Sequence, residues 1–369
     1  MISRLYIDEA VRHHPTVGTV QESLPGVPTF VVPDATRVHE DLAAMRDPVG
    51  AGKRVLFLTQ NKGSFVKKCP GTRSYACCGY QILHIGTYCT MDCAYCVLQT
   101  YFHPPVLQYF VNQERLFEEL DDITRSERPP FHRIGTGEFT DSLIWEPWTQ
   151  LSKSLVPYFA QQDRIVLELK TKSTAIENLR NLKHNKKTIV AWSLNAPSMT
   201  RTQERGTAST SARLRAAAQC EAWGYPLAFH FDPLILYEGC EKDYQRLVRG
   251  LFSSVSPQSI AWISLGSFRF MPSLKPIIQQ RFKKSRIVYG EFVPGLDGKM
   301  RYFKPLRIEL YRKMAAWIRE LAPDVTLYFC MEDEEVWERA LGFVPEDRGG
   351  VARMLDESAA MHCGLRIDD

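Results

Sequence analysis

The chain contains no apolar run near the roughly 18 residues that cross a bilayer, which argues against an α-helical membrane span. Its start, MISRLYIDEAVRHHP, lacks the apolar core of a secretory signal. A cytoplasmic, thiol-reducing location with no membrane partner is therefore expected. Net charge is also scarce: 46 Lys and Arg against 42 Asp and Glu leave +4. Whole-chain electrostatics thus do not demand a polyanionic partner, and any such case has to come from local clusters. Internal repeats, low-complexity tracts and long linkers are missing, which argues against solenoids and tethered arrays. What remains, at 44% apolar and 24% charged over 369 residues, is an ordinary globular composition long enough for two or three units. Cysteine is abundant, at ten residues. In a reducing compartment these read as ligands, catalysts or core fillers rather than disulfides.

The first 75 residues read as a small α/β unit with strands at 29–34 and 54–60 and a helix over Val38 to Met45. A Gly-, Lys- and Pro-rich passage, 61–72, follows. From about residue 79 the pattern becomes regular. Branched and aromatic runs recur at 80–87, 131–137, 164–170, 188–195, 227–233 and 261–267, with a seventh at 325–330. Helical stretches lie between them, among them ERLFEELDDI (114–123) and a segment opened by TAIE (174–177), which has capping-box order. Strand–helix alternation of this length predicts an α/β fold: a partial parallel (β/α)6 barrel over 76–335. A small N-terminal unit (1–75) precedes it and a C-terminal helix and tail (336–369) extend it. Catalytic groups in such folds sit at the C-terminal ends of the strands.

CTMDCAYC places Cys89, Cys93 and Cys96 within eight residues. A buried helical stripe is one reading, but Gly86, Thr90 and Asp92 make a helix there unfavourable. A structural zinc site is another. It wants four ligands, usually as two pairs; Cys77 and Cys78 are adjacent and no second pair follows. The third reading is a [4Fe–4S] cluster held by three thiolates with one iron open.

CxxxCxxC with Tyr95 before the last cysteine, directly after the first barrel strand, resembles the radical S-adenosylmethionine (SAM) superfamily. The resemblance implies that Cys89, Cys93 and Cys96 hold the cluster. It also implies that the open iron chelates SAM, and that reductive cleavage yields a 5′-deoxyadenosyl radical that takes a hydrogen atom from substrate. An electron donor such as flavodoxin or ferredoxin is then required. GTGE (135–138) looks like the family's glycine-rich stretch against the methionine moiety. Gly135, Gly137, Glu138 and Thr140 are the expected contacts there, with Glu138 receiving the ammonium group. Tyr95, Lys170, Ser193, Asn195 and His230 are further expected SAM contacts at strand ends, and Tyr95 is also a candidate catalytic group.

CAYCVLQT (93–100), KHNKKTIVAWSLNA (183–196) and AWGYPLAFHFDPLILYEGCEKDYQRL (222–247) narrow the resemblance to the spore photoproduct lyase family. Its enzymes use the SAM-derived radical to reverse a methylene-bridged thymine dimer in DNA. The chain departs from that pattern twice. Glu138 stands where the lyase keeps a hydrogen-donating cysteine, and Val97 where it has a relay tyrosine directly after the third cluster cysteine. Altered radical termination, a different lesion or a different substrate is therefore expected. Cys330, ending its strand at the catalytic end, is the candidate replacement donor. Cys77 and Cys78 are expected at the opposite end of the barrel, and Cys220 packed against the sheet. DNA is the expected partner, reached through a basic and aromatic hairpin region near 281–307 that includes Lys283, Lys284, Arg301, Tyr302 and Lys304. Two other readings stay open: a radical SAM enzyme for a free nucleotide, small molecule or peptide, and a non-catalytic iron–sulfur protein.

Overall fold

A computed structural model describes residues 2–71, 75–125 and 131–365. In chain order the strands are β1 (Arg4–Asp8), β2 (Thr29–Val32), β3 (Val55–Thr59), β4 (Val66–Lys68), β5 (Gln81–Leu83) and β6 (Gly86–Thr87). They continue with β7 (Asp92–Cys93), β8 (Leu107–Phe110), β9 (His132–Gly135), β10 (Ile165–Thr171), β11 (Thr188–Ser193) and β12 (Glu204–Arg205). The last are β13 (Leu227–Leu234), β14 (Ile260–Ser267), β15 (Arg269–Phe270), β16 (Phe292–Pro294), β17 (Met300–Tyr302) and β18 (Thr326–Phe329).

The main sheet runs β18-β14-β13-β11-β10-β9-β5-β4. It is parallel from β18 to β5, with β4 antiparallel on the edge. All eight residues of β14 are buried, as expected of a strand covered on both faces. The sheet curls into an open half-barrel of the expected class. The helix Gly350–Cys363 packs on it and bridges its strands: Asp356 pairs with Arg133 of β9 at 2.6 Å, and Ser358 donates to the Ala261 carbonyl of β14. Residues 366–369 of the expected tail lie outside the described residues.

A second sheet has the order β2-β1-β3-β8-β6. Its strand β1, RLYID, carries no turn punctuation and was not foreseen from the sequence. Its last two members come from beyond residue 75. The run YQILHIGT, read above as one strand, divides instead: β5 joins the barrel sheet and β6 the N-terminal sheet. This division positions the site, because the cysteine loop leaves β6 in the seam between the two sheets. A second difference concerns TAIE. Only a 3₁₀ turn, Glu177–Leu179, follows it. Ser173 Oγ captures the Ala175 N–H and Ile176 N–H bonds the Thr174 carbonyl, so the local polar groups close tight turns in place of a helix start.

Candidate active site

Tyr88 leaves β6 with φ 70°, its N–H on the Phe139 carbonyl and its hydroxyl on the Val49 carbonyl at 2.8 Å. This left-handed step turns the chain into the loop 89–96. Buried Lys53 donates to the Met91 carbonyl (2.6 Å) and the Cys89 carbonyl (3.4 Å) while covering the Tyr88 ring. Gln99, 1% exposed, donates to the carbonyls of Cys93 (3.0 Å), Ala94 (3.1 Å) and Cys96 (3.3 Å). Arg281 holds Asp92 at 2.9 Å, and β7 pairs antiparallel with β12. Protein donors thus fix the loop backbone from several sides. Replacing Gln99 with Ala removes the side-chain donor from all three carbonyls; those of Cys93 and Cys96 keep the backbone N–H of Cys96 and residue 99, whereas the buried Ala94 carbonyl loses its donor. The expected cost is about 2 kcal/mol in chemical denaturation, together with reduced iron retention on gel filtration.

Cys89 and Cys93 are buried and Cys96 is partly exposed. Burial, reinforced by Asp141, pushes the Cys89 thiol up to about 12 against the opposing pull of Lys53. Burial likewise raises Cys93 well above its ordinary value. Among the described residues no three His, Cys, Asp or Glu side chains converge on one ion.

The glycines of 135–137 are imposed by close packing. A Cβ on Gly135 would lie 1.7 Å from the Tyr80 hydroxyl, and one on Gly137 would lie 2.8 Å from Lys170 Cβ. Beyond them Thr140 accepts from Trp145 Nε1 at 3.1 Å. Asp141, which the sequence did not single out, accepts from Leu143 N (3.0 Å), Thr171 Oγ1 (2.7 Å) and Lys172 N (2.7 Å). It ties the ends of β9 and β10 together at the mouth. Glu138 is exposed there. Burial works against charge on Lys170, but Glu138, Asp232 and Glu168 outweigh it and raise its pKa, so it remains a cation at neutral pH.

Several expected SAM contacts are committed within the protein. His230 lies between Glu168 (2.7 Å) and Ser264 (2.7 Å). Burial, aided by Lys170, lowers its pKa, so it is neutral at pH 7; Nε2–H donates to Glu168 and Nδ1 accepts from the Ser264 hydroxyl. The Asn195 amide is spent on the Pro233 carbonyl, Ala196 N–H and the Tyr244 hydroxyl. Ser193 is buried, its carbonyl accepting from Arg213. The Tyr95 hydroxyl donates to Glu204, and Arg213 holds the other Glu204 oxygen at 2.5 Å. These groups build the walls of the site; as placed, Tyr95, Asn195 and His230 do not present free polar atoms to a ligand. Glu204, Arg213, Lys53 and Gln99 went unnoticed in the sequence because each acts across long separations and carries no local motif.

Cys330 lies just past β18, beside Lys170, Asp232 and Arg269, and burial pushes its thiol up to about 12. Cys77 and Cys78 do not sit at the opposite end of the barrel. The segment before β5 crosses the open side of the half-barrel, Ala76 N–H reaching the Glu332 carbonyl, and brings both cysteines to Cys330. Cys220 is fully buried, as expected.

In the hairpin region, β17 pairs with β15 and β16. Arg301, 1% exposed, is bound by Asp297 (2.8 Å) and the Met331 carbonyl (3.0 Å) and stacks on Tyr75. The Tyr302 hydroxyl accepts from Leu236 N at 3.2 Å in the core. Both were expected at a nucleic-acid surface, and both are internal braces instead. Lys304 is engaged by Asp333 and Glu335. Lys283 and Lys284 are exposed, and the hairpin tip carries Leu296 at 76% exposure.

The family model for spore photoproduct lyase matches residues 70–327. The chain belongs to the spore photoproduct lyase family. Spore photoproduct lyase of Bacillus subtilis (strain 168) is 29% identical over 209 residues, covering 56% of this chain and 61% of the relative. The lyase of Geobacillus sp. (strain Y412MC61) is 27% identical over 210 residues, 56% of this chain and 62% of its own length. Matches to these curated relatives therefore span about three-fifths of their length. Among solved structures, a mutant spore photoproduct lyase with bound AdoMet and dinucleoside spore photoproduct superposes with a TM-score of 0.76 at 21% identity, covering 89% of this chain and 99% of that one. A lyase complexed with dinucleoside spore photoproduct gives 0.77 at 21%, with the same coverage. The residues present fit the family's cofactors. Three thiols share one braced loop, and an exposed carboxylate and a half-buried cation flank the glycine stretch.

Proposed function

We propose that the chain is a radical SAM enzyme acting on a lesion in DNA, with Cys89, Cys93 and Cys96 holding a [4Fe–4S] cluster. The observation that carries this reading is the rigid three-thiol loop in the seam between the sheets, facing the mouth of a parallel half-barrel in this family. A solved relative was captured with AdoMet and the dinucleoside lesion together. When bound, the cluster and SAM supply a 5′-deoxyadenosyl radical. The chain's own groups bind and orient. Glu138 is the acceptor for the ammonium of SAM and Lys170 the partner for its carboxylate. Thr140, tied to Trp145, shapes the wall behind them. The Glu168–His230–Ser264 and Asp232–Arg269 sets fill the barrel interior with paired polar groups and leave little room for water.

Glu138 and Val97 supply no readily abstractable hydrogen at the lyase positions, so the product radical is quenched elsewhere, and Cys330 is the donor. Its elevated pKa keeps it as S–H at neutral pH, the form a carbon radical needs. The electron comes from a flavodoxin- or ferredoxin-type donor. Ten unpaired cysteines suit a cytoplasmic, reducing compartment. No described helix is long and apolar enough to cross a membrane.

DNA contact is assigned to Lys283 and Lys284 as phosphate partners and to Leu296 as an apolar wedge at a base step. Neutralising both lysines is expected to reduce the log–log salt slope of duplex binding by about 0.9 per lost contact. Leu296→Ala is expected to weaken binding with little change in that slope. Fluorescence anisotropy against salt checks both, and unchanged affinity in the triple variant would favour a small-molecule substrate. The reaction itself is tested by anaerobic reconstitution with SAM and reductant on undamaged and ultraviolet-irradiated DNA, with chromatographic product analysis. Conversion of a lesion back to undamaged bases supports the assignment; identical chromatograms for both DNAs oppose it.

A further inference from the structure

Four cysteines outside the cluster loop meet at one place. Cys330 directly follows β18 and is itself followed by Met331 at φ 58°, a sharp left-handed turn held by Arg301 on the Met331 carbonyl. Cys69, and Cys77 and Cys78 from the segment before β5, lie at the same spot. Together with Tyr75 and Met331 the four line a cavity of about 20 Å³, room for roughly one water molecule. All four are free thiols. They are graded in exposure: Cys69, Cys78 and Cys330 are partly buried, while Cys77 is exposed at the rim. On the inner side Cys330 neighbours Lys170, Asp232 and Arg269 at the mouth. Burial, with added repulsion from Glu138, raises Cys69, and burial also raises Cys78. Cys330, Cys69 and Cys78 are therefore held as S–H groups, and with Cys77 they lead from the reaction mouth to solvent.

Resting on the function proposed above, we infer that Cys330, Cys69, Cys78 and Cys77 form a hydrogen-atom relay that quenches the substrate radical and is recharged from solvent. Cys330 S–H gives its hydrogen atom to the carbon radical; a C–H bond forms, an S–H bond breaks and a thiyl radical remains. Cys69 or Cys78 returns a hydrogen atom to Cys330, and the vacancy passes outward to Cys77. There a low-molecular-weight dithiol gives up one hydrogen atom and is itself oxidised. Each step moves one hydrogen atom, and the enzyme ends as it began. Because the 5′-deoxyadenosine formed is not needed as the hydrogen source, SAM is consumed once per turnover.

Two measurements on the full chain test the relay. In the protein without added cofactors, mild diamide oxidation followed by peptide mapping should give disulfides joining Cys330 to Cys69, Cys77 or Cys78. Iodoacetamide should label Cys77 first. Absence of every such disulfide contradicts the relay. With reconstituted protein turning over dinucleoside spore photoproduct in D₂O with dithiothreitol, the product should gain one deuterium from the exchanged thiols. Cys330→Ala should cut that labelling roughly tenfold, and Cys77→Ser should limit the enzyme to a single turnover. Released 5′-deoxyadenosine, measured in the same samples, separates two failures. Its absence contradicts the enzyme reading and the relay with it, whereas its presence with unlabelled product contradicts the relay alone.

Discussion

Replacing Cys89, Cys93 and Cys96 together with Ala is expected to yield a folded chain that binds no iron, shows no charge-transfer absorption near the visible range and cleaves no SAM. The fold should survive, because the loop is held mainly by Lys53 and Gln99 on its carbonyls and Arg281 on the Asp92 carboxylate, the thiols adding only the Cys89 Sγ acceptor for Met91 N–H. The parent should retain about four irons per chain after anaerobic reconstitution. The buried thiols strengthen the expectation. Cys89, pushed up to about 12 by burial, stays protonated at neutral pH unless a metal takes the proton's place. Iron binding should therefore release protons, and a triple variant that still holds four irons would show that the ligands lie elsewhere.

Arg213→Met is expected to destabilise the chain by about 3–5 kcal/mol, because it leaves the buried Glu204 carboxylate without its main counter-charge. Arg213 and Glu204 are 0% and 1% exposed and 2.5 Å apart. Arg213 also donates to the Ser193 and Ala208 carbonyls, so three wall segments loosen together. The pH dependence should change sign. In the parent, burial pushes the Glu204 carboxyl up, but Arg213 and then Lys172 outweigh it and hold the pKa below the ordinary 4.5. Its stabilising contribution is therefore complete above about pH 4.5 and is lost as pH falls through the lower folded value. Without Arg213, burial dominates and the folded pKa lies above the unfolded one. That contribution is then present at acid pH and lost as pH rises through the folded value. Guanidinium denaturation of both proteins between pH 4 and pH 7 checks the sign, taking about 4.5 as the unfolded reference. Parallel pH profiles would mean that Glu204 is not coupled to Arg213.

Much of this architecture is legible in the sequence because a parallel sheet covered on both faces writes itself as repeated apolar runs. Ile165–Thr171 and Leu227–Leu234 fall within a residue of their expected bounds. YQILHIGT reads as one strand because apolar periodicity reports burial and not which sheet does the burying. Arg301 and Tyr302 misled for a related reason. A cation beside an aromatic looks the same in sequence whether it meets phosphate or a carboxylate four residues back, and Asp297 was the available sign of the latter. The cluster cysteines were readable because three thiols at fixed spacing on one loop form a local motif. The residues that brace them, from Lys53 to Arg281, are drawn from across the chain and become visible only in the fold. The expected placement of Cys77 and Cys78 fails because their position before a strand says nothing of the path across an open barrel edge.

The central claim is that the braced three-cysteine loop supports reductive SAM cleavage for chemistry on a DNA lesion. The most direct measurement is 5′-deoxyadenosine release by the anaerobically reconstituted full chain, with SAM and dithionite, in the presence of dinucleoside spore photoproduct. The account predicts release that depends on all three cysteines and is accompanied by loss of the lesion. A protein that holds its four irons yet releases no 5′-deoxyadenosine would contradict it.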